Sequence, residues 1–465
     1  MIGVMFKLGE TKARPGTYWR HVNVGDPEPR IVNLGVNAMI GQLNWGLVGK
    51  PFRVERHQMD NLKEVVGVGV GADAIRQNFL GGATYIWVLR IGDGGEKGII
   101  TIEADDMKDL VFQTLYETDR EFQVITRESI DGKSKDFIIL EDGRKLESHT
   151  VETSSGDEIE ALKSLMAKSK YLEFVSGEAT EIPVGKTADV SGGSNPTATA
   201  EDYVSNFETI NKRFWDALFL DTTDVGIKAA ANAFIRRRLE EGGRSLLFLG
   251  RENPEAPVSE GIEEAKTYNS FLTHLIHNGA RVAGVDLVGP LIAARIAGMV
   301  TSTSYKTGAT FGIVDGSVEL IGEPTPAEYG EANENGLMTL SYNPDEMVQI
   351  ERGINTLVSL GEDEDAGWKK VRRVKTRFFL VEDVLYKIDK IMRAGADNSE
   401  DVRAFICQQG DSSIAQMIRD GALERGKMIV DPDRPPQGDS AWFIFHDIKD
   451  LDSLEKVYNT AEFQY

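Results

Sequence analysis

The chain has 465 residues, of which 41% are hydrophobic and 27% are charged, and its formal net charge is −22. This length exceeds what one hydrophobic core usually fills, so two or three domains are expected. The negative charge argues against broad contact with nucleic acid or an anionic membrane, because a phosphate-binding face needs an excess of Lys and Arg. The single cysteine, Cys407, excludes an internal disulfide or a multi-cysteine metal site, and it is expected to be a small buried side chain.

The apolar stretches of the chain are short and are interrupted by glycine or charged residues. No transmembrane span is therefore predicted. The opening residues Met1-Ile2-Gly3 do not begin a signal peptide, which would need a basic start followed by a long apolar run. We expect a soluble protein that is made in the cytoplasm.

The N-terminal part predicts an arm followed by β structure. Residues 1–29 are rich in glycine and proline and predict an extended N-terminal arm. Residues 30–98 predict a β-rich N-terminal domain with strands at 31–36, 43–47, 52–55 and 85–90 and a short helix at 72–79. Residues 99–155 predict an additional β-rich domain or insertion, in which Asp142-Gly143 supplies the positive φ of a hairpin turn between strands at 137–140 and 144–146.

The middle of the chain, residues 156–349, predicts a central α/β domain. Thr199 and Asp202 form a capping-box pattern, after which apolar residues recur at helical spacing as far as Leu218. Further helices are expected at 159–166, 225–241, 268–277 and 291–300, and strands at 171–175, 219–221, 245–249 and 281–286. Strands that alternate with helices of this length predict a largely parallel sheet covered by helices.

The C-terminal part predicts an α+β domain over residues 350–438 and a β segment with an arm over residues 439–465. The domain is expected to have strands at 353–358 and 371–379 and helices at 381–392 and 413–425. After a proline-rich break at 431–436, the segments 442–446 and 455–465 have β composition. The fold class predicted for the whole chain is α+β multidomain, with a central α/β domain and extended terminal arms.

No catalytic, cofactor-binding or metal-binding residue is predicted. The segment 67–72 fits a dinucleotide-binding pattern, but no acidic residue follows where a ribose would be held, so a structural turn is favoured. The Gly185-Lys186-Thr187 segment lacks the upstream glycine of a phosphate-binding loop. His274 and His277 could meet one ion on a helix face, but without a third ligand nearby two metal-free imidazoles are favoured.

Several segments occur in an order that resembles the contractile phage tail sheath proteins, a family shared by phage tails and related contractile injection particles. The segments that carry this resemblance are Ala13–Tyr18, Asn44–Pro51, Phe79–Arg90, Gly192–Gly193 with Thr199–Tyr203, and Glu351–Leu357. The glycine-rich turn that many members carry after the first β domain is not found between Gly98 and Val151, so the domain there is expected to be divergent or enlarged.

The resemblance implies a structural protomer that is not an enzyme. Members form stacked hexameric rings around an inner tube, and the sheath contracts to drive the tube through a host envelope. The implied partners are other copies of the chain, the tail tube protein, and the baseplate and tail terminator proteins, with no nucleic acid, membrane or cofactor. The implied location is the tail sheath of a virion that is assembled in the host cytoplasm.

Two sets of residues are candidates for contacts within such a particle. Terminal arms that add strands to a neighbouring sheet would satisfy exposed backbone groups while the globular bodies move. The candidate arm residues are Arg14, Pro15, Gly16, Thr17 and Tyr18 at the N-terminus and Val457, Tyr458, Phe463 and Tyr465 at the C-terminus. The candidates for contact with an acidic inner tube are Lys369, Lys370, Arg372, Arg373, Lys375 and Arg377, for which a solvated strand edge is the alternative.

Two other classes of protein compete with the sheath hypothesis. A nucleotide-dependent enzyme could be built on the central α/β domain, since such sheets host many functions. The missing phosphate-loop context and the missing catalytic residues count against it. An extracellular lattice protein is the other alternative, and the missing secretion signal counts against that class.

Overall fold

The computed structural model describes residues 34–104, 108–130, 132–153 and 157–464, and the backbone of two short strands near the N-terminus. The chain divides into two compact units. The larger unit includes residues 34–379, 418–424 and 449–464, and the smaller unit includes residues 380–417 and 425–448. Within the described residues, no helix is sufficiently long and apolar to span a membrane.

The described strands and helices are numbered in chain order. The strands are β1 Val4–Met5, β2 Tyr18–Trp19, β3 Val36–Gly41, β4 Phe52–Glu55, β5 Tyr85–Arg90, β6 Ile99–Ile102, β7 Leu110–Thr114, β8 Phe122–Glu128, β9 Ser134–Glu141, β10 Arg144–Glu152, β11 Leu172–Ser176, β12 Thr187–Asp189, β13 Ala217–Leu220, β14 Leu246–Gly250, β15 Thr273–Ile276, β16 Gly279–Val282, β17 Val285–Leu287, β18 Ser317–Ile321, β19 Leu340–Tyr342, β20 Val348–Ile350, β21 Leu423–Val430 and β22 Phe443–Asp450. The α-helices are α1 Leu62–Val65, α2 Val70–Leu80, α3 Glu158–Met166, α4 Ala200–Asn211, α5 Val225–Glu240, α6 Val258–Tyr268, α7 Pro290–Ser302, α8 Pro326–Glu334, α9 Val371–Arg393 and α10 Glu400–Arg419.

A six-stranded sheet lies at the centre of the larger unit, in the order β15-β14-β13-β3-β5-β4. Neighbouring strands run parallel except at the edge, where β4 pairs antiparallel with β5. Every residue of β13, β14 and β15 is buried, as expected for parallel strands covered on both faces. The predicted fold class and largely parallel sheet are confirmed. The sheet also joins residues 36–90 to residues 217–276, which the sequence analysis assigned to different domains.

Helices α2 and α7 pack closely against each other beside this sheet. A Cβ atom added to Gly298 would lie 2.2 Å from the carbonyl oxygen of Asn78, and one added to Gly81 would lie 2.3 Å from the carbonyl oxygen of Arg295. Glycine at both positions therefore lets the two backbones approach each other. Asn78 also donates a hydrogen bond of 2.8 Å to the carbonyl oxygen of Ala294, which fixes the contact.

A second core is formed by Trp45 and residues 100–182, where the chain forms two small sheets of order β10-β9-β8-β12 and β11-β7-β6. Its aromatic centre includes Trp45, Phe122 and Tyr171, around the guanidinium group of Arg120. The predicted hairpin is confirmed: β9 and β10 meet at a turn in which Asp142 has φ 51° and Gly143 has φ 73°. The β character predicted for residues 99–155 therefore has a physical basis in its own core.

Two small sheets complete the larger unit, and one hairpin belongs mainly to the smaller unit. The sheets of the larger unit are β17-β16-β18 and β19-β20. Strands β21 and β22 pair with each other, and among the strands that the structure describes neither has a second neighbour. Both outer edges of this hairpin are therefore unpaired in the described chain.

The helix predicted at 268–277 is wrong. Helix α6 ends at Tyr268, and Asn269 takes a left-handed C-cap conformation with φ 35°. Residues 273–276 form strand β15, which pairs in parallel with β14. The apolar residues of this segment fit a helical period, but a short buried segment cannot be assigned by periodicity alone, and pairing with β14 decides its conformation.

Other differences concern where elements begin and end. Helix α4 ends at Asn211, so Leu218, which was expected in that helix, lies in β13. The strand expected at 281–286 is a hairpin of β16 and β17 that turns at Ala283-Gly284. The segments 43–47 and 353–358 form no strand, and neither does the described part, 455–464, of the segment 455–465. Of the strand expected at 31–36, residues 31–33 lie outside the described residues, and strand β3 begins at Val36. The helix expected at 413–425 is α10, which ends at Arg419.

The segment 371–379, expected as a strand, is the beginning of helix α9. Val371 and Val374 are fully buried, and Phe378 packs against the same core, so the apolar positions have helical spacing. Basic residues between them obscured this pattern in the sequence. The helix expected at 381–392 is confirmed as the continuation of α9.

Candidate assembly site

The predicted arm residues lie at the two ends of the chain. Arg14, Pro15, Gly16 and Thr17 are outside the described residues, and so is Tyr465. The backbone of Tyr18 lies in β2, which pairs in parallel with β1. Near the C-terminus the side chains are exposed to solvent, with exposed fractions of 65% at Val457, 89% at Tyr458 and 87% at Phe463.

The basic residues around the start of α9 hold the segment 449–455 against other residues of the larger unit. Arg373 donates hydrogen bonds of 2.9 and 2.5 Å to the two carboxylate oxygens of Asp450. Arg377 donates a hydrogen bond of 2.9 Å to the same carboxylate and reaches Asp365 at 2.8 Å. Because Arg373 and Arg377 are one helical turn apart, α9 presents both to one carboxylate.

A second carboxylate, that of Glu455, contacts three separate segments of the same unit. Its oxygens accept a hydrogen bond of 2.8 Å from Thr310 and one of 3.2 Å from Arg352, and it forms an ion pair with Lys370. The hydroxyl of Thr310 also accepts a hydrogen bond of 2.9 Å from the amide of Gly353. We call the contacts of Asp450 and Glu455 together the C-terminal clamp.

The clamp is largely shielded from water. The side chain of Asp450 is 6% exposed and that of Glu455 is 11% exposed. Burial alone would raise the pKa of Asp450, but the hydrogen bonds from Arg373 and Arg377 outweigh it and lower that pKa to about 2. The pKa of Glu455 is also lowered, because hydrogen bonds from Lys370 and Thr310 outweigh the effect of burial. Both carboxylates are therefore ionised at neutral pH.

The remaining basic residues of the run also have partners within the chain. Lys375 is directed at the C-terminal end of α7, where its ammonium group donates to the carbonyl oxygens of Val300 and Thr303 at 2.6 and 3.0 Å, and burial lowers its pKa to about 7. Arg372 donates to Ser453, and Lys369 donates to the carbonyl oxygen of Val358. The contact of these basic residues with an inner tube stays a prediction. Any tube would have to compete with the partners within the chain for the same basic side chains.

Of the two histidines singled out in the sequence, His274 lies within β15 and His277 directly follows that strand, so neither is on a helix. His274 is fully buried and stacks on the ring of Phe248 at 4.5 Å, and burial lowers its pKa to about 4. His277 follows the strand, where burial and the charge of Arg251 lower its pKa to about 4. Among the described residues, no group of three or more His, Cys, Asp or Glu side chains could hold a metal ion.

The carboxyl edge of the parallel sheet is occupied by side chains of the chain itself. The connections that follow β3 and β13 lead towards opposite edges of the sheet. The crevice between the carboxyl ends of two such strands is where α/β sheets commonly bind ligands. There the carboxylate of Asp221 accepts a hydrogen bond of 2.7 Å from the amide of Gln42 and one of 2.6 Å from the hydroxyl of Tyr203. Burial raises the pKa of Asp221. The contacts of Asp221 are thus structural ones that join β3, α4 and β13.

Two other sequence motifs have structural roles. Gly69, in the glycine-rich segment 67–72, is the N-cap of α2 with φ 112°. The Gly185-Lys186-Thr187 segment leads into β12, which pairs with β8. Cys407 is half-buried rather than buried, and desolvation raises the pKa of its thiol.

The chain matches known proteins both in sequence and in fold. The family model described as the phage tail sheath protein central domain matches residues 197–356. The tail sheath protein of Bacillus phage SP01 is 29% identical over 234 residues, which cover 46% of this chain and 40% of that protein. The uncharacterized protein YqbK of Bacillus subtilis is 21% identical over 427 residues, which cover 87% of this chain and 86% of that protein.

Solved structures share the fold over most of the chain. The sheath tail protein of Desulfitobacterium hafniense has a TM-score of 0.71 and 19% identity, covering 93% of this chain and all of that one. The helical sheath of the anti-feeding prophage in its contracted state has a TM-score of 0.52 and 11% identity, covering 97% of this chain and 99% of that one. The matched central domain, the phage relative and the shared fold confirm the resemblance to tail sheath proteins that was seen in the sequence.

Proposed function

We propose that copies of this chain polymerise as stacked hexameric rings around an inner tube and that the resulting sheath contracts to drive the tube through a host envelope. The match of residues 197–356 to the central domain of phage tail sheath proteins supports this proposal, as does the fold shared with a helical sheath in its contracted state. The proposed location is the tail sheath of a particle assembled in the host cytoplasm. The proposed partners are further copies, a tail tube protein, and baseplate and terminator proteins.

The observation that carries the proposal is the contrast between the two parts of the C-terminal segment. Residues 449–455 are held to the larger unit by the clamp, whereas residues 456–464 form no strand and expose large apolar side chains. Exposed apolar side chains in an extended segment favour association with another chain. A segment that is fixed at its base and free beyond it is suited to link one copy to the next.

The hairpin of β21 and β22 is the proposed acceptor for such an arm. Both of its outer edges are unpaired among the described strands, so each edge offers backbone donors and acceptors to an added strand. Strand addition connects copies through many backbone hydrogen bonds. The connection can therefore persist while the bodies that it joins change their orientation during contraction.

Negative-stain microscopy of the purified chain, alone and mixed with preformed tail tubes, tests the proposal. We expect striated tubes or stacked rings from the wild-type chain and only isolated particles after residues 456–465 are removed. Val457, Tyr458 and Phe463 replaced together by Ser should have the same effect, whereas V318S is the matched control, because Val318 is 69% exposed on β18 and outside the arm. Normal tubes from the trimmed chain, or isolated wild-type particles under both conditions, would overturn the proposal.

A further inference from the structure

We propose that Glu455 is the positioning residue at which the C-terminal arm leaves its own protomer on the way to a second copy of this chain. The inference rests on the proposed function. It adds the residue after which the arm leaves the protomer and the segments that bind this residue. The partner is a neighbouring copy that lies within reach of the residues beyond Glu455.

The contacts of the C-terminal segment end at Glu455. The amide of Leu451 donates a hydrogen bond of 2.9 Å to the carbonyl oxygen of Ala422, and the hydroxyl of Ser453 accepts one of 3.3 Å from the side chain of Arg372. Glu455 makes the last contacts. Over the described residues 456–464, the structure shows neither a hydrogen bond nor an ion pair to the rest of the chain. The arm that can move is therefore shorter by one residue than the segment 455–465 predicted from the sequence.

The position of Glu455 is fixed by groups from three different parts of the larger unit. Thr310 lies in a loop after α7, Arg352 follows β20, and Lys370 directly precedes α9. A force applied to the arm would be shared among these three segments, because one carboxylate is bonded to all of them. Since the carboxylate is 11% exposed, salt screens these contacts less than it screens surface pairs.

The clamp also limits where the acceptor can lie. A fully extended chain spans at most about 3.3 to 3.6 Å per residue, so residues 456–464 reach roughly 30 Å from Glu455. A β21–β22 hairpin that pairs with any of these residues lies within that distance of Glu455. If Glu455 were released, the segment 449–455 would be held only by the contacts of Asp450, Leu451 and Ser453 and would open more often. The distance between the linked copies would then be less strictly defined.

The test compares E455Q with E455D and with E462Q. The first variant removes the charge, the second keeps it, and the third removes a charge from the free part of the arm, where Glu462 is exposed. Hydrogen exchange of the unassembled chain, followed by mass spectrometry, reports whether residues 449–455 stay docked. We expect exchange in this segment to be at least about tenfold faster in E455Q, intermediate in E455D and unchanged in E462Q.

Assembly then separates a positioning role from a general structural one. We expect E455Q to keep the wild-type melting temperature of the body but to form tubes with irregular ring spacing, and E455D to restore regular spacing at least in part. Regular tubes from E455Q, or unchanged exchange of residues 449–455, would overturn the role of Glu455 and leave the proposed function intact. If the wild-type chain formed only isolated particles, that result would instead overturn the proposed function itself.

Discussion

Replacing Asp450 by Asn should loosen the C-terminal segment in a manner that depends on pH. Burial raises the pKa of Asp450, but the hydrogen bonds from Arg373 and Arg377 outweigh this effect and lower the pKa from 3.8 to about 2. One pKa unit corresponds to about 1.4 kcal/mol, so lowering the pKa from 3.8 to about 2 means that ionised Asp450 stabilises the docked segment by about 2.5 kcal/mol. The wild-type stabilisation is fully present above pH 3.8 and is lost as the pH falls through 2, because a protonated carboxyl no longer pairs with arginine.

The measurement is the hydrogen-exchange rate of the Leu451 amide, which donates to Ala422 in the docked segment. At pH 7 we expect exchange to be about 60-fold faster in D450N, since each 1.4 kcal/mol corresponds to a factor of ten. The difference between variant and wild type should shrink as the pH is lowered from 4 towards 2. D447N is the matched control on the same strand, because Asp447 pairs with Arg425 at an exposed site and should leave Leu451 unaffected. Equal rates at pH 7, or a difference that does not shrink in acid, would refute the reasoning.

Two further predictions concern stability and are measured by urea or thermal unfolding. R120M should destabilise the 99–190 domain by about 3 to 5 kcal/mol, because it leaves Glu141 buried without the bidentate partner that now lies at 2.8 Å. R120M combined with E141L should recover most of that loss of stability. A double variant as unstable as the single one would contradict this prediction. G298A should destabilise by about 1 to 3 kcal/mol, because the new Cβ would lie 2.2 Å from the carbonyl oxygen of Asn78. G330A is its control in the interior of α8, where nothing lies within 4 Å, and it should be neutral or stabilising by up to about 1 kcal/mol; equal effects of the two would refute the close-packing argument.

Local signals in the sequence were sufficient for much of the fold. The capping box of Thr199 and Asp202 forms as expected, with the Thr199 side chain accepting from the amide of Asp202 and the Asp202 carboxylate accepting from the amide of Thr199. The turn at Asp142-Gly143 likewise needs positive φ at both positions, which these residue types tolerate. Such features depend on neighbours in the chain, so they can be predicted without knowledge of the packing.

The candidate site could be predicted only in part. The exposed apolar residues near the C-terminus and the basic run at 369–377 were both identified from composition. The ion pairs that join the basic run to the base of the C-terminal arm were not identified, because Asp450 and Glu455 are ordinary carboxylates in a chain that carries 74 of them. Nothing local marks these two as the partners of Arg373 and Lys370, which are 77 and 85 residues away in the sequence.

By itself, the sequence determined the parallel sheet, the tight turns and the helix caps. The order in which its segments occur indicated the resemblance to sheath proteins. Only the tertiary structure decided that residues 273–276 form a strand and that residues 371–379 form a helix. It also decided that this helix donates hydrogen bonds to the base of the C-terminal arm. The physical reason is that short buried segments take the conformation that pairs or packs best with distant partners, and that ion pairs between distant residues leave no periodic trace in the sequence.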